Sequence, residues 1–217
     1  MNFTEDMVME KICAIISGGE YAAATGINEC DYIIACDHGY EHAQRMEVSV
    51  DLLLGDFDSY AGTLPQDVEI LRLPVEKDDT DTMSAVRRAL SRGYRHIRIY
   101  CALGGRLDHL YANIQTAAFA ASHGARAELI GDDTHITVFA NGALTLPKRA
   151  GWSLSVFSLT DAARGVSIKN AKYELDNVTI TNAFPIGASN EWRDCGAAEI
   201  MVKDGILAVM ECRMPEN

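Results

Sequence analysis

Acidic motifs recur at the junctions between short apolar runs and amphipathic segments, and their even spacing constrains the fold more than any other feature. Leu52-Leu53-Leu54-Gly55 runs into Asp56-Phe57-Asp58-Ser59. Lys77-Asp78-Asp79-Thr80-Asp81-Thr82 opens one amphipathic segment, and Leu103-Gly104-Gly105-Arg106-Leu107-Asp108-His109 opens another. Asp56, Asp81 and Asp108 stand 25 and 27 residues apart, about one strand-helix repeat each. A fourth junction, Ala35-Cys36-Asp37-His38-Gly39, follows the run Tyr32-Ile33-Ile34. A parallel sheet brings all such junctions to one edge, the edge at which open α/β sheets bind ligands. Four acids meeting there repel one another unless a cation is shared.

The segments between the motifs agree with that reading. Short apolar runs at 11–17, 31–36, 51–54, 69–73, 96–101 and 127–130 suit strands buried on both faces. The spacing predicts a helix from Thr80 to Arg92 with Met83, Val86 and Leu90 on one stripe. It predicts another from Leu107 to His123 with Leu107, Leu110, Ile114, Ala117 and Ala121 on its stripe. Gly93 and Gly124 stand where left-handed caps end such helices. After about Gly131 the texture changes to short β-rich segments, HITVF, ALTLP, WSLSVFSL, GVSIKN, YELDNVTIT, AEIMVKDG and ILAVM, separated by turn residues. These predict an antiparallel sandwich or barrel. The expected division is 1–131 for an α/β domain and 132–217 for an all-β domain, with the seam at Asp132-Asp133-Thr134.

Composition removes several classes of function. At 217 residues and 48% hydrophobic content, the chain can build an ordinary core. No apolar run approaches the roughly 18–20 residues of a membrane span. The first residues, MNFTEDMVMEK, carry acids where a secretory signal carries bases, so a cytoplasmic location is expected. A net charge of −12 argues against a nucleic-acid partner. The six cysteines form no CxxC pair and the histidines no metal-ligand spacing, so reduced, buried thiols are expected.

Asp56 and Asp58, two residues apart at a strand end, offer the hard oxygen ligands that magnesium takes when it also holds a polyphosphate. The same pair also suits a turn in which both cap backbone amides. Three aspartates at 78, 79 and 81 exceed what helix capping needs. The amides of a helix N-terminus there suit phosphate oxygens. Paired glycines let backbone approach a ligand, and Arg106 suits phosphate recognition. Neither the lysine-bearing phosphate loop nor the dinucleotide G-x-G-x-x-G fingerprint is present.

The ordered set DxG (Asp37 to Gly39), GDFDS (Gly55 to Ser59), DDTDT (Asp78 to Thr82) and GGRLDH (Gly104 to His109) resembles the thiamine pyrophosphokinase family across nearly the whole chain. Ser189-Asn190-Glu191-Trp192 resembles that family's thiamine-contacting motif. His38 stands where many relatives carry a glycine. The resemblance implies a Rossmann-like α/β domain that binds ATP, followed by a β-sandwich that contributes to the thiamine site. It also implies a homodimer with thiamine held between subunits. Carried over residue by residue, Asp56, Asp58 and Asp81 hold magnesium. Asp37, Lys77, Asp78, Thr80, Arg106 and Asp108 surround the nucleotide, and Ser189 and Asn190 contact thiamine. Trp192 either stacks on the cationic thiazolium or fills a core or interface.

The reaction so implied is attack of the thiamine hydroxyl on the β-phosphorus of ATP, giving thiamine diphosphate and AMP. A phosphatase using Asp56 as nucleophile is a rival, but it explains neither DDTDT nor GGRLDH. A binding module without turnover is another, opposed by the complete acidic set.

Overall fold

The computed structural model describes residues 10–57, 63–74, 78–194 and 196–215. The first half contributes β1 (Ile12–Ile16), β2 (Tyr32–Cys36), α1 (Gly39–Arg45), β3 (Leu52–Gly55), β4 (Glu69–Arg72), α2 (Asp81–Ser91), β5 (His96–Tyr100), α3 (Leu107–Ser122) and β6 (Arg126–Ile130). Its strands pair in parallel in the order β6-β5-β1-β2-β3-β4. The apolar runs are continuous because both sheet faces are covered. Cys13 and Ile15 face α2 and α3, whereas Ala14 and Ile16 pack with Ala43 of α1 and Ile27.

The helices bury narrower faces than their hydrophobic spacing predicts. In α2 the buried residues are Thr82, Ala85, Val86 and Ala89, with Leu90 packed at the flank. In α3 they are Thr116, Ala117, Ala120 and Ala121, while Leu107 is 78% exposed. Small side chains let a helix axis approach the sheet, so alanines take the contact line and longer residues are displaced from it. Gly93 and Gly124 are left-handed after these helices, as expected. The short helix α1 escapes the sequence pattern because it fully buries only Gly39 and Ala43.

The second half contributes β7 (Thr134–Leu146), β8 (Trp152–Ser158), β9 (Ala162–Lys169), β10 (Leu175–Thr181) and β11 (Ala198–Arg213). HITVF and ALTLP, which read as separate strands, are both β7; AEIMVKDG and ILAVM are both β11. The Asn141-Gly142 pair has the look of a hairpin turn but faces a register shift in β11 between Val202 and Ile206. Asn141 is left-handed at φ 48°, and its Oδ1 accepts the Gly205 N–H at 3.0 Å. The irregularity bends β11 so that one edge serves two partners, β9 along Glu199–Asp204 and β8 along Leu207–Arg213. The wrapped strands enclose a second core containing Leu154, Val166, Ile168, Ile180 and Leu207.

The expected seam is a turn between two paired strands. Gly131 N–H donates to Thr134 O at 2.9 Å, and β6 and β7 continue as an antiparallel ladder from Ile130–His135 to Ala127–Val138. The molecule is therefore a mixed sheet with few helices, hydrogen-bonded from β4 to β10. Among the described residues, no helix is long and apolar enough to cross a membrane. Among the described residues, Cys13, Cys30, Cys36, Cys101 and Cys212 form no disulfide, and Cys195 lies outside the described residues.

A buried ion network centres on Glu128 where the two halves meet. Glu128 on β6 lies 2.9 Å from His96 Nε2, 3.3 Å from Arg98 Nε and 3.4 Å from Arg126 Nε. His96 Nδ1 faces Arg126 Nη2 at 2.9 Å and must accept there, which leaves the Nε2–H to donate to Glu128. His135 on β7 lies 3.9 Å from Glu128 and 3.6 Å from Glu211 on β11. Burial alone would raise the Glu128 pKa, but the His96 hydrogen bond and the charges around it hold the carboxyl at about 2. The ionised form thus stabilises the fold fully above the ordinary carboxylate range, and that contribution disappears as pH falls toward 2. Glu128→Gln is expected to cost about 3 kcal/mol at pH 7 and to flatten the loss of stability on acidification, as read by urea melts between pH 7 and 3.

Candidate active site at the carboxyl ends of the strands

A pocket of about 730 Å³ opens at the carboxyl ends of the parallel strands. Four strand exits supply parts of its wall, three of them Ser17 to Glu20 after β1, Asp37 and His38 after β2, and Asp56 after β3. Asp79 to Thr82 enter at the start of α2, and Gly104 to Arg106 follow β5. His109 and Asn113 of α3 close one side. Of the four acids expected on one rim, Asp37, Asp56 and Asp81 line this pocket and Asp108 does not.

The exits turn sharply. Asp37, Phe57 and Cys101 are left-handed at φ 46°, 57° and 54°, a conformation that costs non-glycine residues energy and collects at functional sites. His38, by contrast, is right-handed at φ −58°, so a side chain in the middle of that motif meets no backbone restriction. The last motif residue is the demanding one. A Cβ on Gly39 would sit 2.0 Å from Ile16 O, because α1 starts directly against the end of β1.

The start of α2 is the most firmly held acidic segment. Thr80 caps the helix by accepting the Met83 N–H at 3.1 Å. Asp81 follows in the first turn, where the helix dipole favours a carboxylate. Asp79 also lines the pocket and pairs with Arg87 at 2.8 Å, whereas Asp78 is exposed and outside the lining. Arg106 and Asp108 form a two-bonded pair at 3.1 and 2.6 Å. That hydrogen bond holds the exposed Asp108 carboxyl below its ordinary range. Arg106 lines the pocket and Asp108 does not. Asp58 and Lys77, two further predicted site residues, lie outside the described residues.

The loop Ser17-Gly18-Gly19-Glu20 was missed by sequence reasoning, although its signal was present: an apolar run followed by paired glycines, as at Gly104-Gly105 after β5. Gly19 N–H donates to Cys101 O at 3.0 Å, and a Cβ there would meet that oxygen at 2.5 Å. His42 of α1 holds the loop through Gly19 O at 2.8 Å, and Asn113 of α3 donates to Ala102 O at 2.8 Å.

Among the described residues, no three His, Cys, Asp or Glu groups form a ready ligand set for an ion. The rim instead spaces hard carboxylate oxygens around an open volume. That donor chemistry fits magnesium, which keeps waters and takes substrate oxygens beside one or two carboxylates.

The predicted thiamine residues do not line this pocket of the single chain. Ser189 is exposed and left-handed at φ 56°, with its N–H bonded to Ser155 Oγ at 3.0 Å. Asn190 is buried; its amide donates to Tyr173 O at 2.7 Å and accepts from the Tyr173 and Glu191 N–H groups at 2.9 Å each. Trp192 is 8% exposed within the second core, and its Nε1–H reaches Leu146 O at 3.3 Å. A separate cavity of about 560 Å³ lies against β5, β6 and β7. Its arginines are paired, Arg98 with Glu29 of the lining at 2.8 Å and Arg213 with Asp133 outside it at 2.7 Å, so it reads as part of the structural ion network.

A parallel sheet with glycines, aspartates and a helix N-terminus along its carboxyl rim defines a phosphate-handling α/β enzyme. Residues 23–129 match the thiamin pyrophosphokinase catalytic domain, and residues 143–207 match the thiamin pyrophosphokinase vitamin B1 binding domain. The chain belongs to the thiamine pyrophosphokinase family, whose reaction converts thiamine and ATP into thiamine diphosphate and AMP. It is 29% identical to thiamine pyrophosphokinase of Bacillus subtilis (strain 168) over 143 residues, 63% of this chain and 67% of that protein. A thiamin pyrophosphokinase family protein from Enterococcus faecalis shares its fold with a TM-score of 0.77 at 27% identity, over 94% of this chain and 100% of the other. The solved B. subtilis enzyme superposes with a TM-score of 0.81 at 24% identity, over 94% and 99% of the two chains.

Gly39→Ala is expected to lower stability by about 3 kcal/mol and to disturb nucleotide binding together with it, because the clash is with backbone at the rim. A thermal melt and an ATP titration of the variant check both effects.

Proposed function

We propose that this chain carries out its family's reaction with ATP and magnesium at the carboxyl-end rim. The observation that carries the reading is the meeting of Asp37, Asp56, Asp79 and Asp81 with the glycine loops in one pocket. Asp56, Asp58 and Asp81 are the proposed magnesium ligands. Asp37, Lys77, Asp78, Thr80, Arg106 and Asp108 are the proposed nucleotide neighbours. Bound magnesium would neutralise charge on the polyphosphate oxygens.

The protein's own part is positioning and electrostatics. The first amides of α2 point toward the rim and suit phosphate oxygens. The glycine pairs at 18–19 and 104–105 let backbone come close to them. Arg106 meets phosphate when it exchanges its Asp108 partner for the ligand, an exchange of one charge-assisted pair for another. In the transfer, the thiamine hydroxyl oxygen bonds to the β-phosphorus and the bond from that phosphorus to the α–β bridging oxygen breaks. AMP departs, and a rim carboxylate takes the hydroxyl proton.

Residues 1–131 are the proposed Rossmann-like ATP domain and 132–217 the proposed β-sandwich that contributes to the thiamine site. Exposed Ser189 is suited to contact thiamine directly. Asn190 and Trp192, whose polar atoms are engaged within the chain, are suited to shape the site around it. A homodimer with thiamine between subunits agrees with exposed Tyr173, Phe184 and Ile186 in the same half, at 61%, 66% and 55%. A cytoplasmic location agrees with the reduced thiols.

Mixing the protein with ATP, magnesium and thiamine is expected to yield AMP and thiamine diphosphate. ADP with thiamine monophosphate would instead mean transfer of a single phosphoryl group. Asp56→Asn and Asp81→Asn are each expected to lower kcat by at least about a hundredfold with the melting temperature kept. Near-normal turnover in both would sink the assignment.

A further inference from the structure

Ser17 Oγ and Thr82 Oγ1 lie 2.7 Å apart. The pair joins the exit of β1 to the second residue of α2, and both side chains are buried, at 4% and 7% exposure. Two buried hydroxyls far apart in sequence satisfy each other here, as buried polar groups must. The helix does not need this bond in order to form. Thr80 already caps it, and Ala85, Val86 and Ala89 already bury its face.

What the bond adds is direction at the first turn, where helices otherwise fray. Ser17 is itself fixed, its N–H donating to Tyr100 O at 2.9 Å in continuation of the β1–β5 ladder. Thr82 is β-branched and stiff at χ1, so holding its hydroxyl holds the adjoining backbone. Asp81 sits between the capping Thr80 and the anchored Thr82, and its carbonyl lies 3.7 Å from Cys36 Sγ at the exit of β2. One carboxylate of the rim is thereby tied to the ends of the two central strands.

We propose that Ser17 and Thr82 are positioning residues that aim the Asp81 carboxylate at the metal–polyphosphate site. The proposal rests on reading the rim as that site, and it concerns ion affinity rather than the identity of the acceptor substrate. Outer partners that orient a metal ligand typically change affinity by 10–100-fold when lost.

The test compares wild type with Thr82→Val, which keeps shape and loses the hydroxyl, with Ser17→Ala, with the double variant, and with Thr82→Ser, which keeps the hydroxyl. Manganese is titrated into each protein with a non-hydrolysable ATP analogue and followed by electron paramagnetic resonance. Thr82→Val and Ser17→Ala are expected to weaken manganese binding about tenfold, with Thr82→Ser near wild type. The double variant is expected to be no worse than either single, because one bond is lost in all three. In turnover, the magnesium half-saturation point is expected to rise in step while the KM for thiamine holds. Lower melting temperatures with unchanged manganese affinity would make the bond merely structural and overturn the proposal. Should Thr82→Val fail to fold, Ser17→Ala against Thr82→Ser decides the same question. Wild type that binds manganese with the analogue but forms no AMP would overturn the family reaction here while leaving this positioning role standing.

Discussion

The parallel pairing of β5 against β1 is the contact on which the rest depends. Ile12 to Ile16 run beside His96 to Tyr100, with most of these residues buried. Chain order moves from β1 outward to β4 and then returns across the sheet, so the two directions of winding part at this pair. Loops leaving such a point diverge and open a crevice at the carboxyl ends. The return passes through α2, which packs over β1, β2 and β3 and delivers its N-terminus to the crevice. The acidic rim follows from that winding.

The rim is also where the fold accepts local strain. Left-handed Asp37, Phe57 and Cys101 are each unfavourable in isolation, and at Gly39 and Gly19 the neighbouring backbone leaves no room for a side chain. They persist because the strands leading to them are locked: Leu52, Leu53 and Leu54 are fully buried, as are Ile15 and Ile16. The second half is joined through the β6–β7 ladder, where His135 of β7 lies 3.9 Å from Glu128. The described strands of the two halves thus form one hydrogen-bonded sheet. The exposed Ser189 loop is supported from behind by the fully engaged Asn190 amide.

How much was legible varied with the range of the interaction. Strands β1, β2, β3 and β5 were readable because burial on both faces leaves nearly uninterrupted apolar runs, whereas β4, expected to be buried as well, is a mostly exposed edge strand. The glycine caps at 93 and 124 and the cap at Thr80 were readable because capping is settled within one turn of chain. Asn141-Gly142 misled because the same dipeptide serves a hairpin turn and a left-handed bulge, and only the opposing Gly205 N–H distinguishes them. Leu107 misled because hydrophobic spacing does not register which turns of α3 lie against the core; at 78% exposure it stands apart from the buried Thr116, Ala117, Ala120 and Ala121. The loop at 17–20 went unread because it carries no aspartate motif, and the need for Gly19 lies in its close approach to Cys101 O.

The sequence by itself determined the succession of strands and helices, the acids and glycines placed at their ends, and the family to which those motifs point. These are properties of short stretches, set by side-chain period, capping chemistry and spacing. Only the tertiary structure decided that Ser17 meets Thr82, that Asp79 rather than Asp78 lines the pocket, and that the expected seam is a turn inside one sheet. Each of those outcomes is a contact between segments distant along the chain, and such contacts are fixed by the winding and packing of the sheet rather than by neighbouring residues.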